Sequence, residues 1–140
     1  MHPNGRIWIL WDPAIVNVQV LLSTDQIIHM KVTIIQLQIQ FAVSFIYGHN
    51  YYILRRGFWD SLRSLAPDLV SVPWITLGDF NIIRFSNEKV GGNPSMPTYI
   101  DDLNDCCLDI SLEDLRSSGH HLTWSKGSGQ TFLARKLDRA

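Results

Sequence analysis

The sequence predicts a mixed α/β (α+β) domain, and three observations support this prediction. Several segments alternate apolar and polar residues with the period of two that is typical of strands, most clearly residues 16–22. Two other segments space apolar residues as a helix does. The predicted strands and helices do not follow a strict βαβ repeat, which favours a mixed sheet over a doubly wound parallel sheet.

The first half of the chain is predicted to be mostly β structure. Residues 7–11 form an apolar run that predicts a short buried strand, closed by Asp12-Pro13. A second strand would place Val16, Val18, Val20 and Leu22 on one apolar face. The alternation then changes phase at Ile34-Ile35, which predicts either a bulge or a turn. Residues 41–47 predict a further apolar strand.

The second half alternates between helices and strands. Phe58, Leu62 and Leu65 predict a helix that Pro67 ends. Residues 72–77 predict a buried strand that leads into Gly78-Asp79-Phe80-Asn81. Residues 88–97 are rich in glycine and proline and predict a loop, and a second helix is expected to begin near residue 98. Residues 122–124 and 132–137 predict a hairpin joined through Lys126-Gly127-Ser128-Gly129.

The composition is that of one globular domain. The chain has 140 residues, 46% of them hydrophobic, which is enough for a core. The formal net charge of −1 does not indicate a nucleic-acid binder, since such domains usually carry a basic face. Two small basic clusters, Arg55-Arg56 and Arg135-Lys136, are interpreted as solvated surface.

Neither cysteine chemistry nor a membrane segment is expected to organise the fold. Cys106 and Cys107 are adjacent, and neighbouring cysteines rarely bridge each other. This usage favours a reducing, intracellular setting. No apolar run reaches the roughly 18 residues of a membrane span, so no membrane partner is expected.

Asp79 and Asn81 are the first candidates for chemistry. They lie two apart at the end of a predicted strand, and residues i and i+2 of an extended chain project to the same side. A carboxylate and an amide oxygen would then face one space, as a partial Mg²⁺ site requires. The alternative is an ordinary turn in which these side chains cap local backbone amides.

Four further residues are candidates with alternatives of their own. Tyr47 and Asn50 follow the preceding strand and could bind a phosphate, although a tyrosine at a strand end usually serves packing. Asp138 could hold a histidine or a metal, or pair with Arg139 or Arg135 at the surface. Trp124 could be an ordinary core aromatic.

Other patterns do not support a site. His120-His121 are adjacent, which is typical of a loop pair rather than a metal site. Ser44 lacks the Gly-x-Ser-x-Gly context of a nucleophile elbow. Gly91-Gly92 lacks the lysine and the Ser or Thr of a phosphate-binding loop.

The order of these signals resembles the endonuclease/exonuclease/phosphatase superfamily. In detail the chain is similar to the apurinic-type endonuclease domain of plant non-LTR (LINE-like) retrotransposons, over nearly its whole length. The residues that carry the resemblance are Arg6-Ile7-Trp8 with Trp11, Phe45-Ile46-Tyr47-Gly48 with Asn50, Trp59 and Leu62, Pro73-Trp74, Gly78-Asp79-Phe80-Asn81, Glu88 with Gly91-Gly92, Asp114-Leu115 with Gly119, Thr123-Trp124, and Lys136-Leu137-Asp138-Arg139-Ala140.

The resemblance implies a four-layer α/β/β/α sandwich with mixed, mainly antiparallel sheets, and hydrolysis of phosphodiesters with Mg²⁺ or Mn²⁺. Asp79 would orient or deprotonate the attacking water and is a possible metal ligand. Asn81, Tyr47 and Asn50 would contact the scissile phosphate, and Asn50 would also bind nucleic acid. Asp138 would hold the ring of a catalytic histidine. A cleft-side role in binding DNA would fall to Trp124, and the retrotransposon analogy also implies a nuclear location.

The chain also departs from the family pattern. The family's metal-binding Glu motif would precede residue 1, and its closing Ser-Asp-His motif would follow residue 140. Glu88 and Glu113 do not stand in that Glu motif. Residues 1–140 are therefore expected to be a partial domain cut at both ends, inactive as it stands. The alternative is a degenerate, non-catalytic domain with a binding role or no function.

Overall fold

The computed structural model describes residues 6–93 and 97–140. Eight strands and two α-helices follow the chain in this order: β1 (Val16–Ser23), β2 (Ile27–Ile34), β3 (Ile39–Tyr47), α1 (Tyr52–Leu65), β4 (Trp74–Asp79), β5 (Lys89–Val90), α2 (Pro97–Asp109), β6 (Trp124–Lys126), β7 (Leu133–Arg135) and β8 (Asp138–Arg139). Within the predicted loop 88–97, residues 94–96 lie outside the described residues.

The strands form two sheets, which confirms the predicted α+β class. A five-stranded sheet has the order β1-β2-β3-β4-β8, and a three-stranded sheet has the order β5-β7-β6. Among the described strands, β3 and β4 are the one parallel pair, and α1 connects them. The other pairs are antiparallel. The sheets are thus mixed and mainly antiparallel, and the predicted hairpin is β6 with β7.

A turn, not a bulge, explains the phase change at Ile34-Ile35. β2 ends at Ile34, residues 35–38 turn, and β3 begins at Ile39, opposite Ile34. Gln38 adopts a positive φ of 53° in this turn, a conformation that is uncommon for residues other than glycine. Its side-chain Nε2 donates to the carbonyl oxygen of Ile35 at 2.6 Å. The turn therefore forms without glycine, proline or asparagine.

A bulge lies instead in β1, and it corrects the prediction of one continuous apolar face. The register with β2 shifts between Val20 and Leu22. Because a shift of one residue reverses the side-chain direction, Leu22 reaches the opposite face from Val16 and Val18. Leu22 packs with the helices, while Val16 and Val18 pack on the other face of the sheet.

The helices cover one face of the five-stranded sheet. The apolar stripe of α1 packs against Ile27 and Ile46 of the sheet, and α2 adds Leu103. Cys106 and Cys107 are free thiols in the same core. Burial raises the pKa of the Cys106 thiol to about 12, so it stays protonated at neutral pH. Neither helix of the described part of the chain is long and apolar enough to span a bilayer.

The opposite face of the sheet is also apolar, and the segment before β1 runs over it. Ile9 packs against Met30, Val32 and Val43 there. Residues 7–11, however, form no strand, which corrects the prediction. Trp8 is 86% exposed and lies on the side of the segment that turns away from the sheet. The apolar run is therefore buried on one side only.

Candidate active site

Three predicted site residues stand in one row across the five-stranded sheet. Tyr47, the last residue of β3, is paired with Asp79, the last residue of β4. Asp79 is in turn paired with Asp138, the first residue of β8. Side chains of residues paired across strands share one face. The fold therefore brings a phenol and two carboxylates together from three distant parts of the sequence.

Asp79 and Asn81 do not face one space as two residues of a strand. Asn81 has a φ of 53°, so the chain leaves the extended conformation directly after the strand. The backbone N–H of Asn81 donates to Oδ1 of Asp79 at 2.8 Å, which is the local capping turn of the alternative interpretation. Nδ2 of Asn81 donates to the carbonyl oxygen of Gly48 at 2.7 Å. Both side chains nevertheless lie at the same edge of the sheet.

Two glycines allow β3 and β4 to end close together. Gly78 has a φ of +134°, and a Cβ atom there would lie 2.1 Å from the carbonyl oxygen of Ile46. A Cβ atom on Gly48 would lie 2.5 Å from the carbonyl oxygen of Phe80. The N–H of Gly48 donates to the carbonyl oxygen of Asp79 at 2.7 Å. A larger residue at either position would separate the strand ends.

The environment of Asp79 disfavours its ionised form. Burial raises the pKa of Asp79, and the carboxylate of Asp138 raises it further. The N–H of Asn81 and the positive charge of Arg55 act in the opposite direction, but the net pKa is above its ordinary value. A raised pKa in a carboxyl group that faces a second carboxylate is typical of sites that handle protons or cations.

Arg55 ties the segment after β3 to Asn81, and the sequence prediction for it was wrong. The Arg55-Arg56 pair was expected to be solvated, but Arg55 is only 3% exposed. Its Nη1 donates to the carbonyl oxygens of His49, Asn50 and Asn81. The helical spacing held the signal, since Arg55 precedes Phe58 by three residues and so lies on the buried stripe of α1. Arg56 is exposed, as predicted.

Asp138 does not form the surface ion pair that was the alternative for it. Its neighbour Arg139 turns inward and pairs with Glu88, and also with Asp114 at 2.7 Å. Asp138 itself is exposed, and its backbone N–H donates to Oγ1 of Thr123 at 3.1 Å. Alternation along β8 therefore sends the cation into the core and leaves the carboxylate opposite Asp79.

Glu88 is the centre of this buried ionic network. Besides Arg139, its carboxylate accepts hydrogen bonds from the backbone N–H groups of Arg84 at 2.6 Å and Phe85 at 3.2 Å. Burial by itself would raise the pKa of Glu88, but these donors outweigh it and the pKa is lowered. Lys136 lies 3.8 Å from the same carboxylate. The predicted solvated pair of Arg135 and Lys136 is therefore half-buried instead.

Trp124 is not a core aromatic. It lies in β6 of the three-stranded sheet and is 38% exposed. The guanidinium carbon of Arg135 lies 5.9 Å from the centre of its ring. Thr123, the preceding residue, holds the backbone of Asp138. Trp124 thus presents a partly exposed aromatic ring next in sequence to Thr123, which binds the backbone of the site residue Asp138.

Asn50 completes the predicted set and lies in the loop just before α1. It is exposed, and its carbonyl oxygen accepts from Arg55 at 3.2 Å. Oδ2 of Asp25, in the turn between β1 and β2, accepts a hydrogen bond from Nε2 of the adjacent His49 at 2.7 Å. Tyr47 lies below the guanidinium carbon of Arg6, 5.3 Å from the ring centre. These groups all stand at the edge where β3 and β4 end.

The patterns that the sequence set aside lie elsewhere. His120 and His121 are exposed in a loop. Ser44 is fully buried, where its hydroxyl meets Nδ1 of His29 at 2.8 Å and accepts from Nε1 of Trp74 at 2.9 Å. Burial lowers the pKa of His29. This buried group supports the sheet and has no access for a substrate.

No protein-family model matches the chain, and no curated protein matches it at a significant level. The candidate site therefore stands on its own residues.

Proposed function

We propose that this chain is a Mg²⁺-dependent phosphodiesterase domain of the endonuclease/exonuclease/phosphatase type that binds a phosphodiester but does not cleave it efficiently as it stands. The observation that carries the proposal is the row of Tyr47, Asp79 and Asp138, with the segments of Asn50 and Asn81 at the same edge of the sheet. The resemblance extends the proposal to DNA as the ligand, a nuclear setting, and a plant LINE-like element as the source.

The available donors suit a phosphate group. The side-chain amide of Asn81 carries two N–H groups, of which one is given to the carbonyl oxygen of Gly48. The second remains to donate to a phosphate oxygen. Tyr47 offers a phenolic O–H from the neighbouring strand, and Asn50 offers an amide from the exposed loop before α1. Phosphate oxygens accept such hydrogen bonds without regard to base sequence.

Asp79 is the residue suited to act on water. Oδ1 of Asp79 is held by the N–H of Asn81, so the carboxyl group has a fixed orientation. Its raised pKa makes it a stronger base than an exposed aspartate once it is ionised. It would align a water molecule toward a phosphate held by Asn81 and Tyr47. The contribution is one of positioning, which depends on the rigid turn.

Asp79 and Asp138 fit a divalent cation in part. The two carboxylates are paired across β4 and β8, and a cation between them would remove their repulsion. Mg²⁺ binds one or two carboxylates and completes its shell with water and substrate oxygens. When bound, it would neutralise charge that develops on the phosphate. In residues 6–93 and 97–140 no group of three or more His, Cys, Asp or Glu side chains could hold a metal.

We propose binding without efficient cleavage because Asp79 and Asp138 provide only two carboxylates for the metal in the described part of the chain. Loss of a metal ligand or a catalytic base typically costs orders of magnitude in rate. A degenerate domain with no phosphodiester ligand is the second candidate, because the capping bond from Asn81 to Asp79 is also what an ordinary turn would form.

Binding and cleavage of a defined phosphodiester separate these candidates. The protein would be titrated with the dinucleotide TpT in Mg²⁺ at a concentration high enough to saturate a weak site, and followed by ¹H–¹⁵N NMR. We expect shifts at Asn81 and Asn50, loss of these shifts in Asp79→Ala, and unchanged binding in the control Asp101→Ala, an exposed aspartate of α2. A supercoiled plasmid should show no nicking above buffer.

The outcomes are distinct. Shifts at the predicted residues without nicking support the proposal as stated. Nicking that Asp79→Ala abolishes would support the enzyme class and overturn the lack of efficient cleavage. No shift in the presence of Mg²⁺ at millimolar TpT would overturn the proposal in favour of the degenerate domain.

A further inference from the structure

Two arginines are deeply buried in the described part of the chain, and they differ in whether a carboxylate neutralises their positive charge. Arg139 is 8% exposed and forms ion pairs with both Glu88 and Asp114. Arg55 is 3% exposed and forms no ion pair with any residue described by the structure. Burying a charge without a partner is costly, so an unpaired buried guanidinium calls for an explanation.

The contacts of Arg55 are all with backbone carbonyl groups. Nη1 reaches the carbonyl oxygens of His49, Asn50 and Asn81, and Nε is buried without a hydrogen-bond partner. Carbonyl oxygens solvate a cation but do not neutralise it. Asp102 and Asp79 favour its charged form only from a distance, and burial still lowers the pKa of Arg55. Its charge is therefore solvated by the carbonyl oxygens of the loops beside the candidate site and is not cancelled by an ion pair.

The same contacts fix the geometry of the site. The segments of Asn50 and Asn81 belong to different loops, 31 positions apart in the sequence by subtraction of their numbers. Arg55 is the side chain that bonds to both, and Asn81 in turn bonds to Gly48 beside them. A planar guanidinium with several donors can hold such loops, while a lysine ammonium lacks the fixed fork.

We propose that Arg55 is a positioning residue of the phosphodiester site, which sets the distance between Asn50 and Asn81 and supplies an uncancelled positive charge beneath an anionic ligand. This proposal rests on the proposed function, and it adds a residue whose sequence context indicated only solvated surface. A phosphate group bound between the two asparagines would be the anion that balances Arg55, as Glu88 balances Arg139.

Three variants separate the two contributions of Arg55. Arg55→Lys keeps the charge and loses the fork of donors. Arg55→Gln keeps amide donors of the side chain and loses the charge. The control is Arg56→Gln, the exposed neighbour on the same helix, whose guanidinium carbon lies 5.8 Å from the ring centre of Tyr52. Far-UV circular dichroism and urea unfolding would establish that each variant is folded before binding is measured.

Binding of TpT with Mg²⁺ is the main readout, followed through the side-chain amide signals of Asn50 and Asn81. We expect Arg55→Gln to weaken binding by about tenfold or more, the scale of one lost charge interaction. Arg55→Lys should bind more tightly than Arg55→Gln, and Arg56→Gln should bind like the natural chain. Greater sensitivity of binding to salt in the natural chain than in Arg55→Gln would follow from the same charge.

Hydrogen exchange measures the positioning role without any ligand. The N–H of Gly48, bonded to Asp79, should exchange faster in both Arg55 variants than in the control, while the N–H groups of β2 should be unchanged. Equal TpT binding by Arg55→Gln and the natural chain would overturn the charge role. Unchanged exchange at Gly48 would overturn the positioning role. Failure of the natural chain to bind TpT would instead overturn the proposed function together with the charge role.

Discussion

The substitution Glu88→Gln tests how strongly the buried ion pair of Glu88 and Arg139 stabilises the fold. The Glu88 carboxylate accepts four hydrogen bonds, two from Arg139 and one each from the N–H groups of Arg84 and Phe85. An amide in its place has one acceptor oxygen and adds two donors, so Arg139 loses its main counter-charge. Removing one partner of a buried ion pair typically costs about 3–5 kcal/mol.

We expect the lower end of that range, about 3 kcal/mol, because Asp114 still pairs with Arg139 in the variant. Urea unfolding followed by tryptophan fluorescence measures the change in the free energy of unfolding. With a slope of about 1–3 kcal/mol per molar urea, the midpoint should fall by about 1–3 M. The matched control is Glu113→Gln, an exposed glutamate, for which we expect a change within about 0.5 kcal/mol.

The pH dependence provides a second check on the same residue. The pKa of Glu88 is lower in the folded protein than its ordinary value of 4.5. Its stabilising contribution is therefore complete above pH 4.5 and is lost as the pH falls through its folded pKa. The difference between the natural chain and Glu88→Gln should shrink in acid. A loss below about 1 kcal/mol at pH 7, or a difference that does not depend on acid, would refute the network.

Three further predictions concern stability. Asp79→Asn should raise the urea midpoint at pH 7, because burial, and to a smaller extent the carboxylate of Asp138, raises the folded-state pKa of Asp79 and so disfavours its ionised form. A lower midpoint would contradict this unfavourable ionisation. Gly78→Ala should destabilise the fold by about 1–3 kcal/mol, measured in the same way, since φ is +134° and the new Cβ would meet the carbonyl oxygen of Ile46; a change below about 0.5 kcal/mol would contradict this geometry. His29 has a lowered folded-state pKa, so the unfolded chain takes up its proton first and stability should fall as the pH decreases below 6.5; His29→Gln should flatten that part of a stability–pH profile, and an unchanged profile would show that another group is responsible.

The elements of the fold could largely be predicted because their apolar patterns are local. The alternation of apolar and polar residues predicted β1 to β3, and the helical spacing of apolar residues predicted α1. Pro67 lies in the turn of 3₁₀ helix that follows α1. The run at residues 7–11 was predicted wrongly, because a strand also needs a neighbouring strand to accept its hydrogen bonds, which an apolar run does not reveal.

The partners of the site residues were less predictable because they depend on which strands are neighbours. The pairing of Asp79 with Asp138 requires that β8 join the edge of β4, across 59 positions by subtraction. Arg55 carried a local signal in its helical spacing, but its charge favoured solvent in the prediction. The sequence likewise did not reveal that Arg139 points inward and Asp138 outward. That direction depends on Glu88 and Asp114, whose carboxylates accept hydrogen bonds from Arg139.

Binding of Mn²⁺, a paramagnetic substitute for Mg²⁺, tests whether Asp79 and Asp138 hold a divalent cation between them. In ¹H–¹⁵N spectra, micromolar to millimolar Mn²⁺ should broaden the amide signals around Asp79 and Asp138 before any others, and Asp138→Asn should abolish this effect. Asp105→Asn, an exposed aspartate of α2, should leave it unchanged. Broadening that begins at the acidic surface of α2, or no broadening near Asp79 at all, would contradict a cation site between the two paired carboxylates.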